Sequence, residues 1–321
     1  MCFEPPWRLR GLVLVVPMVF VGICWGQEFP AKPIRIITTG VGGDADFAAR
    51  ILAREMPGAI GQPVVVENRQ TGVIPGQLVS QAPPDGYTLL CTNASLWTGT
   101  LLQKTPYDVE RDFAPISLLV SGPSMVVVHP SLPVRSIKEL IALAKARPGE
   151  LNYSSTANGT GSHLAGELFK SMAGINIVRV AYSGGAGASS TAMLAGETQV
   201  QFAGSVPMAY VKSGRLRALA VTSLQPSPLF PGLPTVSASG LPGYEAVGRT
   251  SLFAPAKTPS AIVTRLNQDV VRVITLASSR ERFFNAGVET VGSSPEELGA
   301  TVRAETAKWS KVLREAGIKA E

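Results

Sequence analysis

Glycines, hydroxyls and amides follow several predicted strands of this sequence, in turns that could hold an anion. The turns read TTGVGGDAD at 38–46, CTNAS at 91–95, NYSSTANGTGS at 152–162 and AYSGGAGASS at 181–190. Such a turn before a helix presents backbone N–H groups and hydroxyls to a negative charge. Each turn alone is a weak signal. Together they predict a cleft lined by neutral donors and suited to a small carboxylate.

The first turn also matches a dinucleotide-binding fingerprint. Gly40, Gly42 and Ala45 fit the pattern G-x-G-x-x-G/A, and the apolar run PVVVEN carries Glu67 about where such a site would bind a ribose. A second hypothesis therefore stays open, in which the protein is an enzyme that binds NAD or NADP.

Other reactive side chains have simpler interpretations. Asp44 and Asp46 stand near the start of a predicted helix, where carboxylates cap N–H groups, and Asp46 could also orient the glycine loop. His163 could act as a base, but the sequence offers it no nucleophile or metal, so an orienting or capping hydrogen bond is the simpler role. Cys91 lies in the apolar run YTLLCT and is predicted to pack inside a strand.

Motifs for catalysis and metal binding are absent from the sequence. It contains no G-x-S-x-G, H-E-x-x-H, G-x-x-x-x-G-K-[ST] or C-x-x-C. We therefore expect a protein that is not an enzyme and that holds no cofactor and no metal.

The elements that must position these turns alternate between strands and helices, which predicts an α/β fold. Strand candidates are IRIIT, PVVVE, YTLLC, SMVVVH, LRALAV and SLFAP. One helix is predicted to begin after Ser136, with Glu139 completing a capping box. Another is predicted to begin after Ser294, with Pro295 at its first position and Glu297 three residues after the cap.

Two extended, proline-bounded segments, 124–133 and 245–259, are predicted to join two domains. The first domain would comprise residues 27–126 plus 250–321, and the second residues 127–249. Two such crossovers form a hinge, and ligands commonly bind in the cleft between hinged domains.

The first residues predict export. Residues 1–26 carry Arg8 and Arg10 before a short apolar run, which is typical of a cleaved signal peptide and indicates a periplasmic protein. Export weighs against the NAD hypothesis, because most soluble cofactors are cytoplasmic. The net charge of +6 comes from scattered Lys and Arg, so a nucleic-acid partner is not expected. We expect a monomer.

Eight segments in register resemble one known family. They are FPAKPIRII, GG followed by Asp46 and Arg50, GQPVVVENR, PDGYTLL, LNYSSTANGTGSHLAGELFK, AGINIVRVAYSGGAGA, PGLPTVSASGLPGYE and LFAPAKTP. The sequence resembles the substrate-binding receptors of tripartite tricarboxylate transporters, also called Bug or TctC-type proteins. The resemblance covers essentially the whole chain after the predicted signal peptide.

The resemblance implies a periplasmic-binding-protein fold that closes on a small organic carboxylate and delivers it to a two-component membrane permease. A role in feeding a signalling kinase is an alternative that the sequence leaves open. Carried over by motif, the expected ligand-binding residues are Thr39, Gly42, Gly43, Asp46, Thr92, Asn93, Ser154, Gly159, Thr160, Gly161, His163, Tyr182, Gly184 and Gly185.

The sequence departs from the family pattern around the expected cleft. The first loop lacks the prolines and aromatic of V-P-F-x-P-G-G, and the glycine-rich P-G-A-G-G run after ENR is replaced by the shorter QTGVIPG. Arg249-Thr250-Ser251 stands in place of W-x-G, and Ser183 in place of a common lysine. The ligand of a relative therefore cannot be transferred to this chain by analogy.

Overall fold

The computed structural model of the protein describes residues 1–2, 29–69, 73–156, 158–182, 184–204 and 207–315. The predicted signal peptide lies outside these ranges except for its first two residues, and so does the predicted end of the last helix at 316–317. Within the ranges, no helix is long and apolar enough to cross a membrane.

The strands belong to two sheets. In chain order they are β1 (Ile34–Thr38), β2 (Val64–Asn68), β3 (Thr88–Asn93), β4 (Phe113–Pro123), β5 (Met125–Val128), β6 (Asn152–Ser155), β7 (Val178–Ala181), β8 (Val200–Ala203), β9 (Arg217–Val221), β10 (Val247–Pro255) and β11 (Glu289–Thr290). The first sheet has the order β11-β4-β10-β3-β1-β2, and the second β7-β6-β8-β5-β9.

Helices cover both sheets. They are α1 (Asp44–Glu55), α2 (Pro57–Ile60), α3 (Ile74–Ser80), α4 (Ser95–Thr98), α5 (Val109–Asp112), α6 (Ile137–Ala146), α7 (Gly161–Ala173), α8 (Gly185–Leu194), α9 (Met208–Lys212), α10 (Ser260–Ile274), α11 (Ala277–Asn285) and α12 (Pro295–Glu315), with a 3₁₀ turn at Gly99–Leu101. We call the first sheet with its helices the first lobe, and the second sheet with its helices the second lobe.

The predicted capping box is complete at α12 and half formed at α6, where the Glu139 carboxylate accepts the Arg135 N–H instead of that of Ser136. The Ser136 hydroxyl accepts the Glu139 N–H at 3.2 Å and begins α6. At α12 the exchange is reciprocal, since Ser294 accepts the Glu297 N–H and Glu297 accepts the Ser294 N–H, at 3.1 and 2.8 Å. These local signals define the two helix starts because each box satisfies N–H groups that the helix itself leaves unpaired.

Parallel strands bring the candidate loops together at one edge of each sheet. In the first sheet Thr38 lies beside both Asn68 and Cys91, so β1, β2 and β3 end side by side. In the second sheet Ser155 lies beside Ala181, so β6 and β7 also end together. Loops that follow parallel strands collect at the carboxyl edge, where α/β proteins bind ligands.

The chain crosses between the lobes through two paired strands. It passes from β4 to β5 around Ser124 and returns through β10, and Val247 lies directly opposite Pro123 in the antiparallel β4–β10 pair. The predicted crossovers are therefore adjacent to each other, which suits a hinge. The boundaries at 126/127 and 249/250 stay a prediction.

The C-terminal helix α12 packs on both lobes. Near its start Leu298 and Val302 lie in a core cluster of the first lobe. Near its end Trp309 and Leu313 lie in the core of the second lobe. Residues 250–321 were predicted to belong to the first domain, and the contacts of α12 show that this segment also stabilises the second.

Several strands were missed or shortened by the sequence analysis. β4 was not among the strand candidates, because Pro115, Gly122 and Pro123 interrupt its apolar pattern and bulges break its register with β10. Asn152–Ser155 were read as part of a turn but form β6. Neighbouring strands supply the hydrogen bonds there, so tertiary context overrides the weak strand propensity of Asn and Ser.

Loss of the α12 anchor should destabilise the whole protein. Trp309 is 4% exposed, and its indole N–H donates to Glu305 at 3.0 Å. We expect Trp309→Ala to lower the free energy of unfolding by about 3–5 kcal/mol in urea titrations, the usual cost of emptying a buried aromatic site. Lys311→Ala, on the exposed face of the same helix, is the matched control and should change it by less than about 0.5 kcal/mol. Equal effects of the two variants would contradict the bridging role.

Candidate functional site

The carboxyl edges of the two sheets meet at a glycine contact. The Thr98 hydroxyl of α4 donates a hydrogen bond to the Gly159 carbonyl of the second lobe, at 2.8 Å. Gly159 has a φ of +75°, and a Cβ at this position would lie 3.2 Å from the Gly99 Cα. Such a close approach requires glycine. The loops that follow β1, β3, β6 and β7 therefore border one region, which we call the cleft.

The glycine loop after β1 is held by Asp46. This buried carboxylate accepts the Gly42 N–H at 3.0 Å and the Asn68 amide at 2.7 Å, and the Arg50 Nε lies 3.0 Å from it. Burial alone would raise the pKa of Asp46, but the hydrogen bonds from Arg50, Gly42 and Asn68 hold it below its ordinary value. The structure thus supports the loop-orienting role; ligand contact by Asp46 stays a prediction.

Asp44 has a different environment, although only one residue separates it from Asp46. It is the first residue of α1 and is exposed to solvent. Its carboxylate has no hydrogen bond or ion pair within the described ranges, so it does not cap the helix as one sequence interpretation suggested. Desolvation by the surrounding protein raises its pKa above the ordinary value.

Three further predicted residues of the first lobe, Thr39, Thr92 and Asn93, lie at or directly after the ends of β1 and β3. The Thr39 carbonyl accepts the Asn68 amide at 2.9 Å. Thr92 and Asn93 are the last two residues of β3 rather than part of a turn, because β10 pairs with both of them. The Asn93 side chain accepts the Ser95 N–H at 3.0 Å, which fixes the start of α4.

Three hydroxyls surround the start of α7 in the second lobe. The Thr156 hydroxyl lies 2.8 Å from that of Thr160 and 3.1 Å from that of Ser162. Thr160 is the N-cap position and Gly161 the first helical residue, but the Thr160 side chain makes no capping hydrogen bond. The hydroxyls and the first N–H groups of α7 form a set of neutral donors at the positive end of a helix dipole.

His163 orients this loop from inside the helix. Its Nδ1 accepts the Gly159 N–H at 3.1 Å, so the ring is neutral and its proton is on Nε2. Burial, with a smaller contribution from Arg179, lowers the pKa of His163 to about 4. The orienting hydrogen bond that the sequence suggested is present. Contact of His163 with a ligand stays a prediction.

Arg179 of β7 was not among the residues predicted from the sequence. Its guanidinium donates to the Ser155 hydroxyl at 2.7 Å, the Thr156 carbonyl at 2.9 Å and the Asn158 side chain. All three acceptors are neutral and belong to β6 or the β6–α7 loop. The motif NIVRVAY contains this arginine, but only the register of β7 beside β6 reveals that it reaches the loop.

The remaining predicted residues have diverse positions. The Tyr182 hydroxyl donates to Glu197 at 3.1 Å on the protein surface. Gly184 and Gly185 begin α8, and Gly185 has a φ of +79°. Ser154 is fully buried in β6, and its hydroxyl has no hydrogen-bond partner in the part of the chain that the structure describes. Like α7, α1 and α8 begin at residues without a side-chain capping bond, here Gly43 and Gly184. Each of these three helices begins at the carboxyl end of a parallel strand.

Metal chemistry has no support among the described residues, which contain no cluster of His, Cys, Asp and Glu able to hold an ion. Cys91 is buried in β3, its thiol lies 3.3 Å from the Ala45 carbonyl, and burial raises its pKa. The predicted packing role of Cys91 is confirmed.

The buried imidazole should make stability depend on pH. The unfolded chain binds a proton at His163 below about pH 6.5, whereas the folded protein resists protonation down to about pH 4. The free energy of unfolding is therefore unaffected by His163 above pH 6.5. It falls as the pH decreases from 6.5 toward 4, by a total of about 3 kcal/mol.

An Asn side chain at position 163 can still accept the Gly159 N–H. We therefore expect His163→Asn to lose less unfolding free energy between pH 7 and pH 4 than the wild type, in urea titrations. Parallel losses in the two proteins would contradict the assignment.

Comparison with known proteins agrees with the geometry. BugT of Bordetella pertussis is 34% identical over 301 residues, covering 91% of this chain and 92% of its own. A solved structure described as R. palustris Rpa4515 with adipate is 33% identical with a TM-score of 0.85, covering 92% of this chain and 100% of its own. MatC from Rhodopseudomonas palustris with bound malate is 26% identical with a TM-score of 0.80, covering 89% of this chain and 100% of its own.

These similarities confirm the two-domain periplasmic-binding-protein fold that the sequence predicted. A family model described as the tripartite tricarboxylate transporter family receptor matches residues 48–318, which include the second lobe and the first lobe except for β1, the loop after it and the start of α1. The chain therefore belongs to the tripartite tricarboxylate transporter receptor family.

Proposed function

We propose that this protein is a periplasmic receptor that captures a small organic carboxylate in the cleft and delivers it to a two-component membrane permease. The observation that carries the proposal is the arrangement of α1, α7 and α8. These helices begin at the carboxyl ends of parallel strands. The N-cap residues of α1 and α8 are glycines, which have no side chain to cap a helix, and α7 begins among the hydroxyls of Thr156, Thr160 and Ser162. Helix N-termini attract anions.

Hinge closure is the proposed mechanism of capture. The ligand would bridge the donors at the start of α7 and the glycine loop before α1, and thereby stabilise the state in which the lobes approach each other. The Thr98–Gly159 hydrogen bond already joins α4 to the β6–α7 loop. A ligand that orders this loop would therefore also fix the orientation of the first lobe.

The relatives support a carboxylate. Two structures similar to this chain are described with adipate and with malate, and both ligands are small organic carboxylates. The family is one of solute-binding receptors, which also supports a non-catalytic role. Native mass spectrometry of freshly purified protein tests the proposal, followed by denaturation and identification of any released molecule. Retention of an organic acid would support it. A protein that retains no ligand and binds none of a panel of organic acids in calorimetry would refute it.

Gly42 offers a specific test of the glycine loop. It has a φ of +87°, and a Cβ there would meet no atom of the described residues within 4 Å. We expect Gly42→Ala to weaken carboxylate binding on the order of tenfold in calorimetry, because the strain of about 1–2 kcal/mol displaces the loop N–H groups.

Gly61 provides the matched control for Gly42. Its φ is +71°, an added Cβ would likewise meet none of the described atoms within 4 Å, and it ends α2 away from the cleft. Gly61→Ala should impose the same backbone strain and lower the melting temperature similarly, yet leave affinity unchanged. Equal losses of affinity in the two variants would show that the glycine loop does not contact the ligand.

The structure does not favour the NAD hypothesis. Glu67, the residue expected at a ribose, lies within 3.4 Å of Arg35 and forms a second ion pair with Arg69. A carboxylate engaged by two arginines is a poor acceptor for ribose hydroxyls. Addition of NAD or NADP should leave the melting temperature unchanged, and a rise that saturates with concentration would restore that hypothesis.

A further inference from the structure

Two charged side chains near the cleft have no partner of opposite charge among the described residues. Asp44 lies at the start of α1 in the first lobe, and Arg179 lies beside the β6–α7 loop in the second. Neither takes part in a salt bridge within those ranges, whereas Asp46 is paired with Arg50. The charges have opposite signs and belong to different lobes, so they could distinguish the two ends of a ligand.

The second lobe provides the positive charge at one end of the cleft. The Arg179 guanidinium uses its donors on a hydroxyl, a carbonyl and an amide, none of which neutralises its charge. Its field reaches the first turn of α7, because it contributes to the lowered pKa of His163 after burial itself. A carboxylate bound at the Thr156–Thr160–Ser162 hydroxyls would therefore gain attraction from both the helix dipole and Arg179.

The first lobe provides the negative charge at the other end of the cleft. Asp44 stands directly after Gly43, in the loop expected to contact the ligand, and its side chain reaches solvent without a partner. A second carboxylate placed here would meet a like charge. An ammonium group placed here would gain an ion pair and a hydrogen bond.

We propose, on the basis of the function proposed above, that the cleft is electrostatically polarised and selects an amino-substituted monocarboxylate over a dicarboxylate. The carboxylate end lies at α7 beside Arg179, and the amino end lies at the start of α1 beside Asp44. In this respect the chain differs from the similar structures described with adipate and malate.

Calorimetry with ligands of equal length tests this selectivity. The six-carbon set is adipate, hexanoate and 6-aminohexanoate, and the four-carbon set is succinate, butanoate and 4-aminobutanoate. We expect the amino acid of the better-fitting set to bind at least tenfold more tightly than the dicarboxylate. Asp44→Asn preserves the shape of the side chain. It should reduce the ratio of the two affinities at least tenfold, because the amino acid should bind more weakly and the dicarboxylate more tightly.

Asp85→Asn is the matched control for Asp44→Asn. Asp85 pairs with Lys32 at the surface, so the variant changes the net charge equally without altering the cleft. Arg179→Gln should weaken the binding of every carboxylate in both sets. Arg179→Lys should retain the salt dependence of binding that Arg179→Gln loses, which separates the effect of charge from that of loop structure. Melting temperatures check that each variant is folded.

The outcomes separate the two proposals. Tighter binding of the dicarboxylate by the wild type, or equal effects of Asp44→Asn and Asp85→Asn on the ratio, would overturn the polarised cleft and leave the receptor function intact. If no member of either set binds and the purified protein retains no organic acid, the receptor function itself fails. Selectivity for the amino acid that is lost in Asp44→Asn supports both the receptor function and the polarised cleft.

Discussion

Gly159 is the residue through which the two lobes contact each other most closely. Its carbonyl accepts the Thr98 hydroxyl of the first lobe, and its N–H donates to His163 of the second. Because Gly159 is buried and the peptide groups on both sides of its Cα are hydrogen-bonded, rotation of either one would lose a hydrogen bond, at a cost of about 1–3 kcal/mol for the group left unpaired. The loop that carries the hydroxyls of α7 is therefore fixed by contacts from both lobes, and the position of α4 is fixed with it.

A second constraint lies at the hinge, where an ion pair connects β10 to α12. The Arg249 guanidinium lies 2.8 Å from the Glu305 carboxylate, and both groups are mostly buried. Lys308, one turn further along α12, donates to the Glu245 carbonyl at 3.0 Å. Buried ion pairs contribute little net stability but penalise other arrangements strongly.

Much of the fold could be predicted because its signals are local. Capping boxes, continuous apolar strands and proline-bounded crossovers depend on residues close together in the chain, and each predicted element formed. The candidate site was harder to predict, because its contacts join distant segments. The sequence identified the loops but not which side chains face a ligand. Asp46 points into its own loop, Tyr182 turns to Glu197, and Thr98 meets Gly159 only when the lobes are assembled. Side-chain direction at a lobe interface follows from the docking of the lobes, which no short window of sequence contains.

The pairing of β4 with β10 has a consequence for the energetics of binding. Because the two crossover strands are bonded to each other from Val247 and Pro123 onward, they behave as one twisted ribbon rather than as two independent tethers. A ribbon resists shear and translation and yields mainly to torsion about its own axis. In the proposed closure the unliganded lobes would sample an arc rather than a volume, and a ligand that closes them would forfeit little orientational entropy. The affinity would then be determined mainly by the contacts in the cleft, and weak contacts with a small solute would be sufficient for the proposed capture.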